Sequence, residues 1–338
     1  MFAWARLTDE AGLIHTPSME GWDPVRKLGV RQQRTLRSPV SLQGAGLLSG
    51  RMVRLRFRPA PPNTGPVFIR TDLATPSYIP ARASLVTDTH RRTTLGHLPN
   101  GVTLVEHVLS ALAGMRIDNC YIELDGPEPP GLDGSSWRFV EVLRDAGAIT
   151  QRATRGVWTV EESISVECGP VSISFHPAEH DELRISYQLD YGPDSPIDNQ
   201  KHTQVITPES YARDLAPCRT FLLESEAVEL HRAGVGLHLT PADVLVFGPS
   251  GRPIDNVLRF DNEPARHKVL DILGDVALFG RDLRGHIVAQ RSGHPLNALL
   301  VQELVKLLPE RRQHSDGDAR VHAVKMIPLS VASNASLN

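Results

Sequence analysis

The sequence predicts an α+β fold of two similar β-α-α-β sandwich domains that arise from an internal duplication, with helices packed at the domain interface. Each half of the chain runs through strand-like segments, then a histidine-bearing helix, a strand and a second helix. The two histidine-bearing segments also resemble each other, with VEHVLSALAG at 105–114 and ARHKVLDILGD at 265–275. A repeated order of elements indicates a duplicated unit whose sheets pack on helices. The alternative is that two generic apolar helices share a spacing by chance.

The strands and helices follow from the period of the apolar residues. Alternation or a short apolar run predicts strands at 53–58, 67–73, 119–124, 157–167, 171–176, 183–189, 244–247 and 286–290. Helical period predicts helices at 103–115, 136–147, 221–234, 264–280 and 294–308. Glycine lies close to the end of most of these helices, for example Gly147, as expected of a C-terminal cap.

Breaks in this periodicity divide the chain of 338 residues, a length typical of about two domains. Residues 1–31 lack a clear period and are predicted to be an N-terminal extension. The first α+β domain is predicted at 32–150 and the second at 156–308, with the segment ITQRATR at 149–155 as the linker. Residues 309–338, which are polar at first and then weakly apolar, are predicted to be a C-terminal tail.

The composition excludes some classes of function. A net charge of −3 provides no general attraction to nucleic acid or to an anionic membrane. No apolar run reaches the length of about 18 residues that a membrane-spanning helix needs, and no signal peptide is evident. Three widely spaced cysteines form neither a CxxC pair nor a disulfide framework, which favours a reducing cytoplasm. We expect a monomer that binds no nucleic acid.

The helix at 264–280 carries an unusual polar row. His267, Asp271 and Asp275 follow one another at four-residue steps, so their side chains lie along one face of the helix. Apolar residues fill the other sides, which predicts that the helix is buried. Buried carboxylates and imidazoles need partners, which are either each other, a network of donors or a metal ion. A simple hydrogen bond along the helix, without metal, is the plainer alternative.

If the two halves pack helix to helix, Glu106 and His107 would face this row. His107, His267 and Asp271 would then supply the three protein ligands of a catalytic zinc, and Glu106 could act as general base on the bound water. His294, at a predicted helix start, could be the general acid, with Asp275 holding its charge. The alternative for His294 is a residue beside a helix cap with no chemical role.

Several motifs together resemble one enzyme family. They are QRTL (33–36), GAGLLSG (44–50), RTDL (70–73), TTLG (93–96), VEHVLSALAGMRIDN (105–119), PEPPGLDGSS (127–136), CRTF (218–221), LRFDNEPARHKVLDILGD (258–275) and SGHPLNA (292–298). In this order, over roughly residues 32–305, they resemble the UDP-3-O-acyl-N-acetylglucosamine deacetylases of lipid A biosynthesis, the LpxC family. The combination of EHxxxAL, RHKxLDxxGD and SGHxLN is highly specific.

The resemblance implies a two-domain sandwich with zinc at the domain interface, where ferrous iron could replace zinc in the cell. It implies hydrolysis of the acetamide of a UDP-linked acylated amino sugar to acetate and a free amine, close to a membrane. The matching positions are the zinc ligands His107, His267 and Asp271, the base Glu106, the acid His294 with its partner Asp275, Thr220 near the oxyanion, and the substrate contacts Lys268 and Phe221.

Two segments depart from the family pattern. Leu48 stands where the family usually has histidine in GLHSG, which would change contacts near the site mouth. Residues 233–247 lack the usual glycine-rich pattern beside the acyl-chain passage. The acyl group of the substrate would need an apolar channel in the protein. Leu222, Leu223 and Val228 could line that channel, or they could simply pack their helix onto its sheet.

Three other functions remain open at this point. A different zinc amidohydrolase, acting on another N-acyl sugar or on a peptide, would use the same ligands. A non-catalytic zinc-binding homologue would keep the fold, although loss of Glu106 or His294 would then be expected, and both are present. A purely structural network without metal is the third.

Overall fold

The computed structural model describes residues 13–15 and 24–308 of the chain. The predicted C-terminal tail and most of the predicted N-terminal extension therefore lie outside the described residues. Within the described part, every helix is too short or too polar to span a bilayer.

The described residues form strands β1 to β18 and helices α1 to α6. In chain order the strands are β1 (Leu13–His15), β2 (Val25–Leu36), β3 (Val40–Ala45), β4 (Met52–Pro59), β5 (Pro66–Arg70), β6 (Ser77–Pro80), β7 (Val86–Asp88), β8 (Thr94–Leu95), β9 (Cys120–Leu124), β10 (Ala148–Val160), β11 (Ile164–Cys168), β12 (Val171–His176), β13 (Leu183–Leu189), β14 (Gln200–Val205), β15 (Phe221–Leu223), β16 (Leu245–Phe247), β17 (Asp282–Leu283) and β18 (Gly285–Gln290). The helices are α1 (Glu106–Gly114), α2 (Trp137–Ala146), α3 (Pro208–Ser210), α4 (Glu224–Arg232), α5 (Glu263–Val276) and α6 (His294–Lys306).

Two main sheets, one in each half of the chain, share a topology. The first has the strand order β3-β4-β9-β5-β6, and its β5 and β9 run parallel. The second has the order β11-β12-β18-β13-β14, extended at one edge by β1, and its β13 and β18 run parallel. In both halves one helix precedes the central strand and another follows it. This mixed architecture confirms the α+β class, and the shared strand order supports the duplication, which itself stays a prediction.

Helices α1 and α5 pack against each other between the two sheets, as the sequence predicted for the domain interface. Their close approach depends on Gly274, because a Cβ built there would overlap the carbonyl oxygen of Glu106 at the start of α1. Helix α5 is buried along almost its whole length, including its acidic residues. The start of α1 therefore lies directly beside the last turn of α5, next to the polar row.

The prediction that 149–155 is a linker is wrong. These residues belong to β10, which pairs antiparallel with β2 from Ala148 opposite Leu36 to Val160 opposite Val25. The partner strand lies more than a hundred residues earlier, so local composition gives no sign of the pairing. Because β2 begins at Val25, it also crosses the predicted boundary at residue 31. The domain boundaries stay predictions.

Two predicted helices begin later than expected. The helix predicted at 221–234 starts at Glu224, because Phe221–Leu223 pair in parallel with β16 as strand β15. The helix predicted at 103–115 starts at Glu106, because Leu104 adopts the left-handed region at φ 56°, which interrupts a right-handed helix. The helix predicted at 264–280 ends its α-helical part at Val276 and continues as a single 3₁₀ turn.

Candidate active site

The structure brings the three predicted metal ligands together between α1 and α5. One ligand atom from each of His107, His267 and Asp271 lies within 4.8 Å of the others. Asp271 Oδ1 lies 3.7 Å from His107 Nε2 and 3.3 Å from His267 Nε2. The two imidazole rings are nearly perpendicular, with centroids 5.0 Å apart. These spacings leave room for one ion to touch all three side chains.

The chemistry of this group fits a cation. His267 Nδ1 donates to the carbonyl oxygen of Cys218 at 3.1 Å, so the Nε2 lone pair faces Asp271. Burial lowers the pKa of His267 to about 3, which keeps the imidazole neutral. Asp271 Oδ1 is buried without any hydrogen-bond partner. Two buried acceptors that face each other without a donor are unfavourable, and a metal ion would satisfy both.

Lys268 neutralises the other oxygen of Asp271, with Nζ 2.8 Å from Oδ2. Burial by itself would raise the pKa of Asp271, but the Lys268 ammonium group helps to hold it well below its usual range. Burial would likewise lower the pKa of Lys268, but Asp271 outweighs it and raises that pKa. The ammonium group also lies 5.7 Å from the ring centroid of Phe221, which is 6.3 Å from the ring centroid of His267. Lys268 and Phe221 thus border the ligand group.

Glu106 occupies the first position of α1, next to His107, and only 2% of it is exposed. Burial raises the pKa of its carboxyl group. Oε2 accepts a hydrogen bond from the backbone N–H of Thr93 at 3.1 Å, and Oε1 lies 4.0 Å from His294 Nε2. A carboxylate with a raised pKa beside a metal-ligand group can accept a proton.

His294 opens α6 and lies across the site from Glu106. Its Nδ1 donates to Asp275 Oδ2 at 2.8 Å, which is the pairing predicted from the sequence. Burial would lower the pKa of His294, but Asp275 raises it to about 9. Nε2 lies 4.0 Å from both Glu106 Oε1 and Asp271 Oδ2, so it faces the space between these two carboxylates. The plain reading of His294 as a residue beside a helix cap does not explain this burial and charge.

Sequence reasoning missed two residues that contact Asp275. Thr93 Oγ1 donates to Asp275 Oδ1 at 2.6 Å, and Asn297 Nδ2 donates to Oδ2 at 2.9 Å. Ser292 Oγ in turn donates to Asn297 Oδ1 at 2.8 Å. These residues belong to TTLG and SGHPLN, which served only as signs of the family. Their position within conspicuous motifs was the available signal.

Thr220 is half-buried just before β15. Its N–H donates to the carbonyl oxygen of Gly134 at 2.8 Å, and a Cβ at Gly134 would crowd the Thr220 methyl group. Thr220 thus lies between Cys218, whose carbonyl oxygen holds His267, and Phe221 at the edge of the ligand group. Its predicted contact with an oxyanion stays a prediction.

The two segments that depart from the family pattern contact each other. His238, within 233–247, places Nε2 3.0 Å from the carbonyl oxygen of Gly46, and a Cβ at Gly50 would overlap its ring. The N–H of Leu48 donates to Glu128 Oε2 at 3.0 Å. The loop that carries Leu48 is therefore held by residues from two other parts of the chain.

Of the three predicted acyl-channel residues, Leu223 packs in the core and Leu222 is half-buried. Val228 is 42% exposed on α4. The alternative of simple packing therefore describes Leu223 better than a channel does.

Comparison with known proteins agrees with these motifs. Residues 33–306 match the LpxC family, described as UDP-3-O-acyl N-acetylglycosamine deacetylase. A Myxococcus xanthus (strain DK1622) protein named UDP-3-O-acyl-N-acetylglucosamine deacetylase is 41% identical over 298 residues, 84% of this chain and 92% of that protein. A protein of the same name from Trichormus variabilis (strain ATCC 29413 / PCC 7937) is 38% identical over 82% of this chain and 99% of its own length. The Chlorobaculum tepidum protein named bifunctional enzyme LpxC/FabZ is also 38% identical, over 81% of this chain and 64% of its own. The match of the family over residues 33–306 and the identity with these relatives over most of the chain show that this chain belongs to the LpxC family, whose members are metal-dependent enzymes.

Proposed function

We propose that this chain hydrolyses the acetamide of UDP-3-O-acyl-N-acetylglucosamine and releases acetate and a free amine, a step of lipid A biosynthesis. Its membership of the deacetylase family and the names of its relatives support this activity. The observation that supports the chemistry is Asp271 Oδ1, which is buried without a hydrogen-bond partner and faces His107 and His267. Glu106 and His294, the proposed base and acid, lie beside this group.

The proposed cofactor is zinc, held by His107, His267 and Asp271. Two imidazoles and one carboxylate are the donor set of many catalytic zinc sites, and ferrous iron accepts the same ligands. An ion bound there would polarise the amide carbonyl group and lower the pKa of a water molecule. Cys218 contributes through its carbonyl oxygen, which fixes the ring orientation and tautomer of His267.

Glu106 is the proposed general base. Its Oε2 is engaged by the backbone N–H of Thr93, whereas Oε1 faces His294 across the open part of the site. The raised pKa of this carboxyl group, caused by burial, increases its affinity for a proton from the attacking water. The water proton therefore goes to Oε1.

His294 is the proposed general acid. Asp275 keeps its imidazole protonated by accepting the Nδ1 proton, and Nε2 remains free to face the substrate. Because an amide anion is a very poor leaving group, the departing nitrogen needs a proton as the C–N bond breaks. His294 Nε2 supplies that proton, and the amine leaves neutral.

Lys268, Phe221 and Thr220 are proposed to position the substrate. Lys268 remains a cation because of Asp271 and lies near the face of Phe221, so a polar group of the sugar could bind beside an apolar ring. The Thr220 hydroxyl group would donate to the oxygen on which charge develops during attack.

The acyl chain is proposed to lie against the unit formed by β15, α4 and β16. This unit and the loop within it expose two apolar side chains, Val228 and Leu237, the second of which is 67% exposed. An acyl chain that covered them would remove apolar surface from water. Because 233–247 departs from the family pattern, we expect chain-length preference to be set there.

The proposed location is the cytoplasm, close to a membrane surface. Cys120, Cys168 and Cys218 are all free thiols, which supports a reducing compartment. The monomeric state stays a prediction, which light scattering of the purified protein would test.

The first experiment is to measure amine release from UDP-3-O-acyl-N-acetylglucosamine by the purified protein, before chelation, after chelation and after restoring zinc or ferrous iron. We expect turnover that chelation removes and metal restores. UDP-N-acetylglucosamine, which lacks the acyl chain, is the matched substrate control, and we expect it to react far more slowly. Turnover of other N-acyl sugars or peptides instead would indicate a different amidohydrolase, and no turnover of any substrate by metal-loaded protein would favour a binding role.

The ligand assignment is tested by His267→Ala, with His238→Ala as the control in a histidine outside the ligand group. We expect His267→Ala to lose bound metal and to fall to the activity of the chelated protein, because only two ligands remain. His238→Ala should retain full metal content. Full metal occupancy in the His267 variant, measured by elemental analysis, would refute the assignment.

A further inference from the structure

Thr93 contacts both members of the proposed acid–base pair, although it precedes strand β8 and belongs to none of the helices α1, α5 and α6. Its side chain is fully buried. The backbone N–H donates to Glu106 Oε2 at 3.1 Å, and Oγ1 donates to Asp275 Oδ1 at 2.6 Å. Oγ1 also lies 3.4 Å from His294 Nδ1. One residue thus joins the base in the first half of the chain to the carboxylate behind the acid in the second half.

The hydroxyl group completes the hydrogen bonding of Asp275. The two donors on Asp275 Oδ2 are His294 Nδ1 and Asn297 Nδ2. Oδ1 accepts from Thr93, and the carboxylate is almost entirely buried, so water cannot readily replace that donor. Without the hydroxyl group Oδ1 would be a buried acceptor without this donor, and a turn of the carboxylate in search of another donor would carry the ring of His294 with it.

The backbone N–H distinguishes the two oxygens of Glu106. Because Oε2 is engaged by Thr93, the carboxylate plane is fixed and Oε1 is the oxygen that faces His294 Nε2 at 4.0 Å. Oε1, which accepts a proton, and Nε2, which donates one, therefore face the same small space. Their relative placement depends on the position of residue 93.

We propose that Thr93 is a positioning residue that aligns the general base with the general acid, its N–H orienting the Glu106 carboxylate and its hydroxyl group locking the Asp275–His294 pair. This inference rests on the proposed function. Thr93 does not touch the substrate, so it affects the rate of the chemical step and leaves substrate binding unchanged.

The test replaces the hydroxyl group without changing the shape of the side chain. Thr93→Val should lower kcat about 10- to 100-fold, the usual effect of removing a partner of a site residue, with KM and metal content unchanged. Thr93→Ser keeps the hydroxyl group and should keep most of kcat. Thr94→Val is the matched control, because Thr94 is also buried and its hydroxyl group pairs with Thr103 Oγ1 at 2.8 Å. We expect wild-type kcat in that variant.

A readout without turnover separates this inference from the proposed function. The Nδ1 proton of His294 should give a downfield NMR resonance that shifts in Thr93→Val and stays in place in Thr94→Val. If wild-type protein turns over no substrate, the proposed function fails, and the resonance still tests the role of Thr93. If Thr93→Val does not fold, Thr93→Ala takes its place. An unchanged kcat and resonance in the Thr93 variant, or equal losses in the Thr93 and Thr94 variants, would overturn the inference.

Discussion

Helices α1 and α5 both begin with a buried glutamate, but the two carboxylates have different surroundings. Glu106 opens α1 beside His107 and His294, and burial raises the pKa of its carboxyl group. Glu263 opens α5 and accepts from Arg219 Nε at 2.8 Å and Nη2 at 3.0 Å, as well as from the backbone N–H groups of Arg219 and Arg259. The same residue type at the same helix position is the proposed general base in one half of the chain and is bonded to arginine in the other.

This difference indicates how one scaffold can support both stability and chemistry. A helix N-terminus favours a carboxylate in either case, because unpaired N–H groups and the helix dipole are positive there. The partners then decide what the carboxylate does. Arg219 holds both oxygens of Glu263 by hydrogen bonds, whereas Glu106 accepts the Thr93 N–H on one oxygen and faces His294 with the other.

The largest expected effect comes from Glu106→Gln. Glutamine keeps the shape and the hydrogen bond from Thr93 but cannot take up a proton. We expect turnover to fall about 10²- to 10⁴-fold, the usual contribution of a general base, while metal content and thermal stability stay near wild type. Initial rates of amine release measure turnover, elemental analysis measures metal content, and thermal unfolding measures stability. Unchanged turnover would show that Glu106 is not the base.

Glu263→Gln should instead lower stability and leave metal binding unchanged. The change leaves Arg219 buried without its counter-ion, which typically costs about 3–5 kcal/mol of unfolding free energy. Denaturant unfolding of both glutamine variants would measure the contrast. We expect the folded fraction of Glu263→Gln to bind metal normally. If Glu106→Gln were the less stable of the two, the assignment of separate roles would be wrong.

A smaller loss of unfolding free energy is expected when helices α1 and α5 are forced apart. In Gly274→Ala the new methyl group would overlap the carbonyl oxygen of Glu106, so α1 and α5 must move apart. Overpacking of this kind costs about 1–3 kcal/mol, and it also displaces Glu106 from α5. Gly29→Ala is a control outside the contact, because no atom lies near a Cβ built there and the backbone of Gly29, in β2, is not in the left-handed region. Activity that falls in the Gly274 variant alone would support helix contact as the basis of the site.

The last comparison concerns the pH dependence of stability in metal-free protein. Asp275 raises the folded pKa of His294 from 6.5 to about 9, so the protonated form stabilises the fold. This contribution is fully present below pH 6.5 and is lost as the pH rises through about 9. Asp275→Asn should flatten this part of the stability curve. Thermal unfolding of both proteins at several pH values would measure it, and identical curves would contradict the coupling.

Much of the candidate site follows from local sequence. Four-residue spacing places His267, Asp271 and Asp275 in one row of a helix, because the geometry of an α-helix is set by its backbone. The apolar neighbours of that row predict its burial, and α5 is buried as expected. The α+β class follows for the same reason, since strand and helix periods are properties of short segments.

Local sequence patterns could not predict which distant segments pair as strands. Residues 149–155 form part of β10 because β2 lies beside them, and Phe221–Leu223 form a strand because β16 does. Their own residues permit other conformations, and the partner's backbone groups select one. A sequence pattern describes one segment and does not say which second segment will satisfy its hydrogen bonds.

The sequence by itself determined the polar row on α5, the family motifs and the residue types that the proposed chemistry needs. The tertiary structure decided how they meet: α1 approaches α5 at Gly274, the Cys218 carbonyl oxygen orients His267, and Thr93 reaches Glu106 and Asp275. The physical reason is that helix spacing is fixed by covalent geometry, whereas contacts between segments depend on how the whole chain packs.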